Sequence, residues 1–515
     1  MQAIGVLLRQ QLSSFVIRAT FVIKSFVIRH LRRRVNPKIR LKFNWLRGLM
    51  SNVRDFGAVG DGQIDDTAAI EHAIHDGDGV IEMPRGDYRI TRTLEVNLAR
   101  RSRTFIHGSG GVAKLLMYGD GPAIFLKATH SNTADPSGFR PEQWQHERMP
   151  TIDGIEIEGR HPQADGIRIE GVMQPTLTRL LIRRVRTAVH VTKRARNLLV
   201  SHCHLYHNTG IGVHLDQVNL HQAIITGSHI SYCRQGGIRI GGREIRNLQI
   251  TGNDIEYNNN DPFQVPNADD EPTAEIFVDV GDGSVREGTI ASNTIQATYC
   301  PSGANIRFIG RGGGGDHKVG MWTITGNLIG SQKINVHLTS VRGVTINGNY
   351  IYSGHHRNIL IEHSRNVVLG ANCLGHNPDY GKQELATGIR FEQCQSCTIT
   401  GLLIEDAQAG EHTVLDVVPI ERDGLIELVR CRRMNVSGTQ VLDGTPNGIY
   451  LEDCSDTVLT GCTVLDDRQP KRMRAAIVWK GEGTGNLIAA SRIGRGSKTD
   501  VDAPAHVQLD GNLTG

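Results

Sequence analysis

From Asn197 to the end of the chain one phrase recurs: a short β-branched run, a small residue, Asn or another polar residue, an apolar residue, a turn and a second short run. Clear copies are Leu248-Gln249-Ile250-Thr251-Gly252-Asn253, Trp322-Thr323-Ile324-Thr325-Gly326-Asn327 and Val344-Thr345-Ile346-Asn347-Gly348-Asn349. Anchored on the polar residue, the series runs through positions 202, 228, 253, 293, 327, 349, 372, 402, 439, 462 and 491, and its shortest steps are 22 to 26 residues. A unit of that length made of alternating strands cannot bury its apolar face alone, so it must stack on its neighbours as a solenoid. Leucine-rich repeats have a similar period, but their fixed leucine framework and helical segments are absent. An all-β, single-stranded parallel β-helix follows, with rungs about 4.8 Å apart and equivalent residues in ladders. About thirteen coils and a cap are expected.

Composition agrees. Glycine, at 59 residues, outnumbers proline, at 17, which suits many tight corners and excludes collagen-like or proline-rich chains. The net charge of +4 averages two unlike parts, since residues 1–50 hold 11 of the 57 basic residues and no acidic one. The rest carries 46 basic against 53 acidic residues and is mildly acidic. With only 5% aromatic residues, it offers no nucleic-acid footprint. Residues 1–49 form a basic extension in which Phe-Val-Ile occurs three times, interrupted by Arg18 and Lys24. That pattern gives neither a stable membrane span nor a clear signal peptide. The composition changes at Met50, which makes a translated upstream region the simplest reading and a basic membrane-surface segment the alternative. Residues 50–150 then hold the cap and first coils, and 151–515 the solenoid proper. Cys394, Cys431 and Cys454 follow equivalent strands and read as stacked core thiols; Cys394 and Cys397 alone have the spacing of a metal pair, with no second pair to complete it.

Residues 53–70, Val-Arg-Asp-Phe-Gly-Ala-Val-Gly-Asp-Gly-Gln-Ile-Asp-Asp-Thr-Ala-Ala-Ile, followed by Gly79-Val80-Ile81-Glu82-Met83-Pro84-Arg85-Gly86-Asp87-Tyr88, resemble the opening signature of the pectate-lyase-like superfamily. Those right-handed β-helices include polygalacturonases, alginate epimerases and phage tailspike depolymerases. The resemblance implies a right-handed solenoid, a polysaccharide partner and an extracellular or periplasmic setting. Its tailspike branch implies a homotrimer, and its lyase branch implies calcium, for which Asp269-Asp270-Glu271 offers oxygens; no other cofactor or metal is expected. Asp65 or Asp66 would start a helix near residues 66–76 whose apolar face seals the end of the solenoid. Asp61, Asp65 and Asp66 are thereby assigned to turns and caps. The polygalacturonase elements are only partly echoed, by Ala164-Asp165-Gly166-Ile167 and Gly236–Gly241, and the epimerase Asp-Pro-His-Glu element is replaced by Val189-His190-Val191-Thr192.

Strand parity supplies a candidate site, because alternate residues face outward. In Ile211-Gly212-Val213-His214-Leu215-Asp216 the aliphatic residues point in and His214 and Asp216 point out. The same register gives Arg168 and Glu170, His190, Arg239, Phe277 and Asp279, Arg307, His337 and Glu362. Arg168, Arg239 and Arg307 suit bidentate recognition of carboxylates, hence an acidic polysaccharide. Hydrolysis needs two carboxyl groups, for which Asp216 and Asp279 stand two coils apart with Glu256 in reserve. A lyase or C5-epimerase needs a base and a cation, for which His214 and Arg239 serve. The first reading is glycoside hydrolysis, ahead of lyase chemistry; a uronate C5-epimerase, or a noncatalytic glycan-binding, adhesin or phage-tail β-helix, is the alternative. The loops Asn258–Pro262, Asp269–Pro272 and Arg311–Asp316, beside the column, are where such chemistry concentrates.

Overall fold

The computed structural model describes residues 51–131, 138, 140–259, 272–311, 317–377, 388–406 and 422–515. Residues 1–50, most of the loop residues named above and the acidic loop Asp269–Glu271 lie outside them. Asn52–Gly515 forms one compact unit.

Each coil runs through three faces. In one coil the strand Ile211–Thr226 supplies two of them, bending after Asp216 where its register with Gly236–Thr251 shifts. The third face is the short strand His229–Ser231. All the pairings between coils are parallel, so each residue stacks on its counterpart one coil away. The third face stacks seventeen strands among the described residues, more than the expected number of coils, because regular winding begins at Asp61. Pairing continues across residue 150: Ile155–Gly159 lies on Ala113–Met117, and Thr176–Thr178 on Thr151–Asp153.

Period-2 alternation explains the core. Val213, Ile238, Ile276, Ile306, Val336 and Ile359 stack in register and are fully buried. Each such side chain contributes about 1.5–3 kcal/mol by leaving water. The polar anchor is buried as well, and its amide makes the ladder. Asn253, Asn293, Asn327 and Asn349 each accept, through Oδ1, the backbone N–H of the preceding ladder member, at 2.9–3.1 Å. Each Nδ2 donates to a strand carbonyl of the preceding coil, as Asn327 does to Ile290 at 3.0 Å. The first anchor is displaced by one: Cys203, not His202, donates its backbone N–H to the Ser228 hydroxyl oxygen. His202 is instead the bend residue, with φ 55°, where later coils place Gly252 and Gly348 with φ 65° and 67°. That left-handed corner is where glycine is cheapest.

The cap is the helix Thr67–Asp76, whose Ile70, Ala73 and Ile74 enter the core. Asp65 accepts the Thr67 N–H at 3.0 Å, Asp66 ties down Val59 and Gly60, and Asp61 ties down Gln63 and Ile64. These aspartates are structural. Cys394, Cys431 and Cys454 are buried free thiols donating to strand carbonyls of the preceding coil, and Cys397 is buried and free.

Candidate functional site

The first face carries one outward ladder: Arg168, His190, His214, Arg239, Phe277, Arg307 and His337, in that order on successive coils. Two residues along each strand a second ladder places Glu170, Thr192, Asp216 and Gly241 side by side. The sequence has this shape because each strand end alternates one aliphatic residue inward with one polar residue outward.

At the centre lie His190, His214 and Asp216. The two rings stack at 5.4 Å with 14° between planes. His190 Nε2 is 3.0 Å from Asp216 Oδ2, and His214 Nε2 is 3.8 Å from Asp216 Oδ1. A carboxylate oxygen only accepts, so the His190 Nε2 carries the proton of that bond. His214 makes no hydrogen bond among the described residues. Burial drives its pKa down to about 4, opposed by Asp216 and assisted by His190 and Arg239, so its imidazole is neutral at pH 7.

Arginines bracket this centre. Arg168 binds Glu170 at 3.2 Å and lies 5.2 Å over the ring of Phe125, a ladder neighbour that parity reading had left out. Arg239 lies 5.3 Å over the Phe277 ring and has no hydrogen bond or ion pair among the described residues. An accessible arginine without an acidic partner, one rung from a neutral imidazole, suits a substrate carboxylate.

Other expected site residues are placed differently. Glu256 is on the third face, in the strand Asp254–Glu256, and not in the column. The reason is that a tight corner after Asn253 starts a new face, which parity along one strand cannot register. Burial and the neighbouring Asp254 raise its pKa to about 7. Phe277 is 4% exposed, packed with Ala274 and Ala304, and Arg307 is 8% exposed with Nη2 donating to the Ser302 carbonyl; neither offers an open contact. Asp279 stands two coils from Asp216, about 10 Å at the rung spacing, and both its oxygens are engaged by Arg311 at 3.2 and 3.1 Å. Arg311 enters from the loop after the strand Gly303–Ile309, so no periodic signal marked it. His337 holds Glu362 at 2.8 Å, which keeps the Glu362 carboxyl below its usual range.

The ligand atoms of His190, His214 and Asp216 lie within 4.8 Å of one another. Two imidazoles and one carboxylate suit a borderline cation such as zinc better than calcium, which takes oxygen. With the rings nearly parallel, their lone pairs do not converge, and coordination would require a ring to turn. The arrangement as it stands suits proton transfer.

Residues 143–275 and 335–493, more than half the chain, match the family described as the right handed beta helix region. The chain belongs to that right-handed β-helix family. Among curated proteins it is 29% identical over 140 residues to the mannuronan C5-epimerase AlgE6 of Azotobacter vinelandii, a match covering 21% of this chain and 16% of that protein. It is 42% identical over 66 residues to alginate lyase 7 of the same organism, covering 12% of this chain and 8% of that protein. The matched stretches thus span less than a fifth of these relatives. Among solved structures, the A-module of the Azotobacter vinelandii mannuronan C-5 epimerase AlgE4 is 14% identical with a TM-score of 0.39, over 90% of this chain and 97% of that one. Tailspike protein 3 of bacteriophage CBA120 is 13% identical with a TM-score of 0.46, over 90% and 61%.

Proposed function

We propose that this β-helix acts on an acidic, uronate-containing polysaccharide by removing the proton α to a sugar carboxylate, the step shared by β-elimination and C5 epimerisation. The observation that carries this reading is the pairing of His214, a neutral imidazole, with Arg239, a cation that has no acidic partner among the described residues. His214 takes the C5 proton while Arg239, one rung away, balances the charge that develops on the carboxylate. The electron pair left at C5 then either expels the glycosidic oxygen at C4, which takes up the proton held by His214 and leaves an unsaturated uronide, or takes a proton from water on the opposite face, giving the epimer while His214 returns its proton to solvent. The partial relationship to a mannuronan C5-epimerase and an alginate lyase points to the same substrate class. Glycoside hydrolysis has weaker support, since Asp279 is engaged by Arg311 and Glu256 lies on another face.

The deciding experiment incubates the full chain with polymannuronate, polyguluronate and polygalacturonate in deuterated water. Deuterium at C5 or unsaturated ends, or both, are expected. New reducing ends with neither C5 deuterium nor unsaturation would assign hydrolysis, and no change in any polymer would leave a binding protein.

A further inference from the structure

The second face carries a column of like charge. Arg196, His221, Arg246 and Arg286 occupy four successive rungs; after Gly320, Arg342 and Arg365 continue it in register. Directly opposed like charges destabilise a sheet, and here Arg246 faces Arg286 and Arg342 faces Arg365. Nearby acids answer only part of this. Glu244 pairs with Arg246 at 2.6 Å, and Glu287 lies close enough to act on His221. Arg342 has no hydrogen bond or ion pair among the described residues, and Arg365 is exposed with Nε donating to Asn366. The first face differs, since there Glu170, Asp216 and Glu362 pair with Arg168, His190 and His337.

A second observation lies at the lower end of the column. Arg194, opposite Asn219 at the bend into this face, is 4% exposed. Its Nη1 donates to Asn219, but its buried Nε and Nη2 have no acceptor among the described residues. A buried guanidinium with two unsatisfied nitrogens beside another arginine is costly unless an anion is supplied from outside the fold.

We propose that the second face is a binding track for a linear polyanion, specifically a carboxylated polysaccharide lying along the solenoid axis with its lower end anchored near Arg194. Rungs about 4.8 Å apart present arginines on five of seven rungs to a chain running in that direction, the exceptions being Gly320 and His221, whose pKa burial lowers. The flanking outward ladder is Leu199, Ile224, Gln249, Thr289, Thr323 and Thr345, which is uncharged and has no aromatic ring. It provides hydroxyl, amide and aliphatic contacts of the kind sugars use and no platform for stacking bases, which disfavours nucleic acid. The track is distinct from the His214 site and does not depend on the reaction assigned there.

The test measures binding of a fluorescent oligouronate to the full chain by anisotropy across a salt series. The variants are R342Q/R365Q, R342K/R365K and R239Q, and thermal melts check that each is folded. The expected result for R342Q/R365Q is affinity about tenfold weaker at low salt, with the slope of log K against log salt shallower by about 1.5, because two ion contacts are lost. R342K/R365K retains most of the binding, and the same loss appears when R342Q/R365Q is placed in the R239Q background. Affinity and slope unchanged in R342Q/R365Q would overturn the track. Duplex or single-stranded DNA bound more tightly than the oligouronate, and weakened by the same variant, would overturn the polysaccharide assignment.

Discussion

His190 Nε2 donates to Asp216 Oδ2 at 3.0 Å across one rung of the first face, while His214, stacked on His190, leaves its own imidazole without a hydrogen bond among the described residues. The two histidines therefore differ in bonding: Asp216 orients His190, and in the proposed reaction the unbonded His214 is the base. For proton abstraction at this site, H214Q is expected to lower kcat about 10²-fold or more. D216N is expected to lower it less and to shift the pH profile, since it alters both the ring orientation and the charge beside His214. Steady-state kinetics over pH 3–8 on the best uronate polymer, a range that spans the His214 pKa of about 4, separate the two; equal losses with an unshifted profile would contradict the division.

Acid should unfold the protein earlier than carboxylates alone would make it. Burial holds His130, His214, His355 and His356 near a pKa of about 4. Each is neutral in the fold and takes up a proton near pH 6.5 when unfolded. The unfolded chain thus binds more protons between these values, and stability falls as pH drops from about 6.5 to about 4. One such histidine accounts for roughly 3 kcal/mol at full effect. Thermal melts at pH 7, 6, 5 and 4.5 should show a steepening fall in Tm that is smaller in H355Q; a flat profile would show that these rings are not buried.

Glu275 has the opposite sign. It is fully buried with Asn258 as hydrogen-bond donor, and burial raises its pKa well above the ordinary carboxylate value. The native state then holds a proton that the unfolded chain releases above pH 4.5, so this group destabilises as pH rises. E275Q keeps the shape and removes the titration. It should raise Tm by a few degrees at pH 8 and by less at pH 5.

The asparagine ladder tests the coil stacking. Asn327 accepts from the Asn293 N–H and donates to Ile290 and Asn349. N327A removes the side-chain partner of two backbone groups of the preceding coil, the Asn293 N–H and the Ile290 carbonyl, and of the Asn349 amide oxygen on the next, and should cost about 2–3 kcal/mol in denaturant unfolding. A loss below about 0.5 kcal/mol would mean that water replaces the amide.

Eight of the nine cysteines are buried, and Cys373 alone is half-exposed. A maleimide should label one thiol per native chain and nine in denaturant. Rapid native labelling of Cys394 or Cys397 would contradict their place in the core.

Much of this was readable from residue order because the repeat is local. Alternation in Ile211–Asp216 is enough to send Val213 inward and His214 outward, and the same rule aligned Arg168 through His337 in one ladder. It failed at corners. Glu256 follows a left-handed bend at Gly252, after which the chain lies on another face, and His202 shifted the first anchor because a bend residue and a ladder residue are adjacent there. The loop that begins at Arg311 was marked by its composition, but the pairing of Arg311 with Asp279 was not readable, because the loop has no periodic register with that strand.

The sequence by itself determined the solenoid, its cap, its buried thiols and the outward side of the first face, since each depends on a period of two or on a repeat of 22 to 26 residues. Only the tertiary structure decided which outward residues are accessible and which meet. Burial of Phe277 and Arg307, the different hydrogen bonding of His190 and His214, and the alignment of Arg246, Arg286, Arg342 and Arg365 all depend on the register between coils. That register spans connections of unequal length, so it is set by the stacking of core and asparagine ladders and not by distance along the chain.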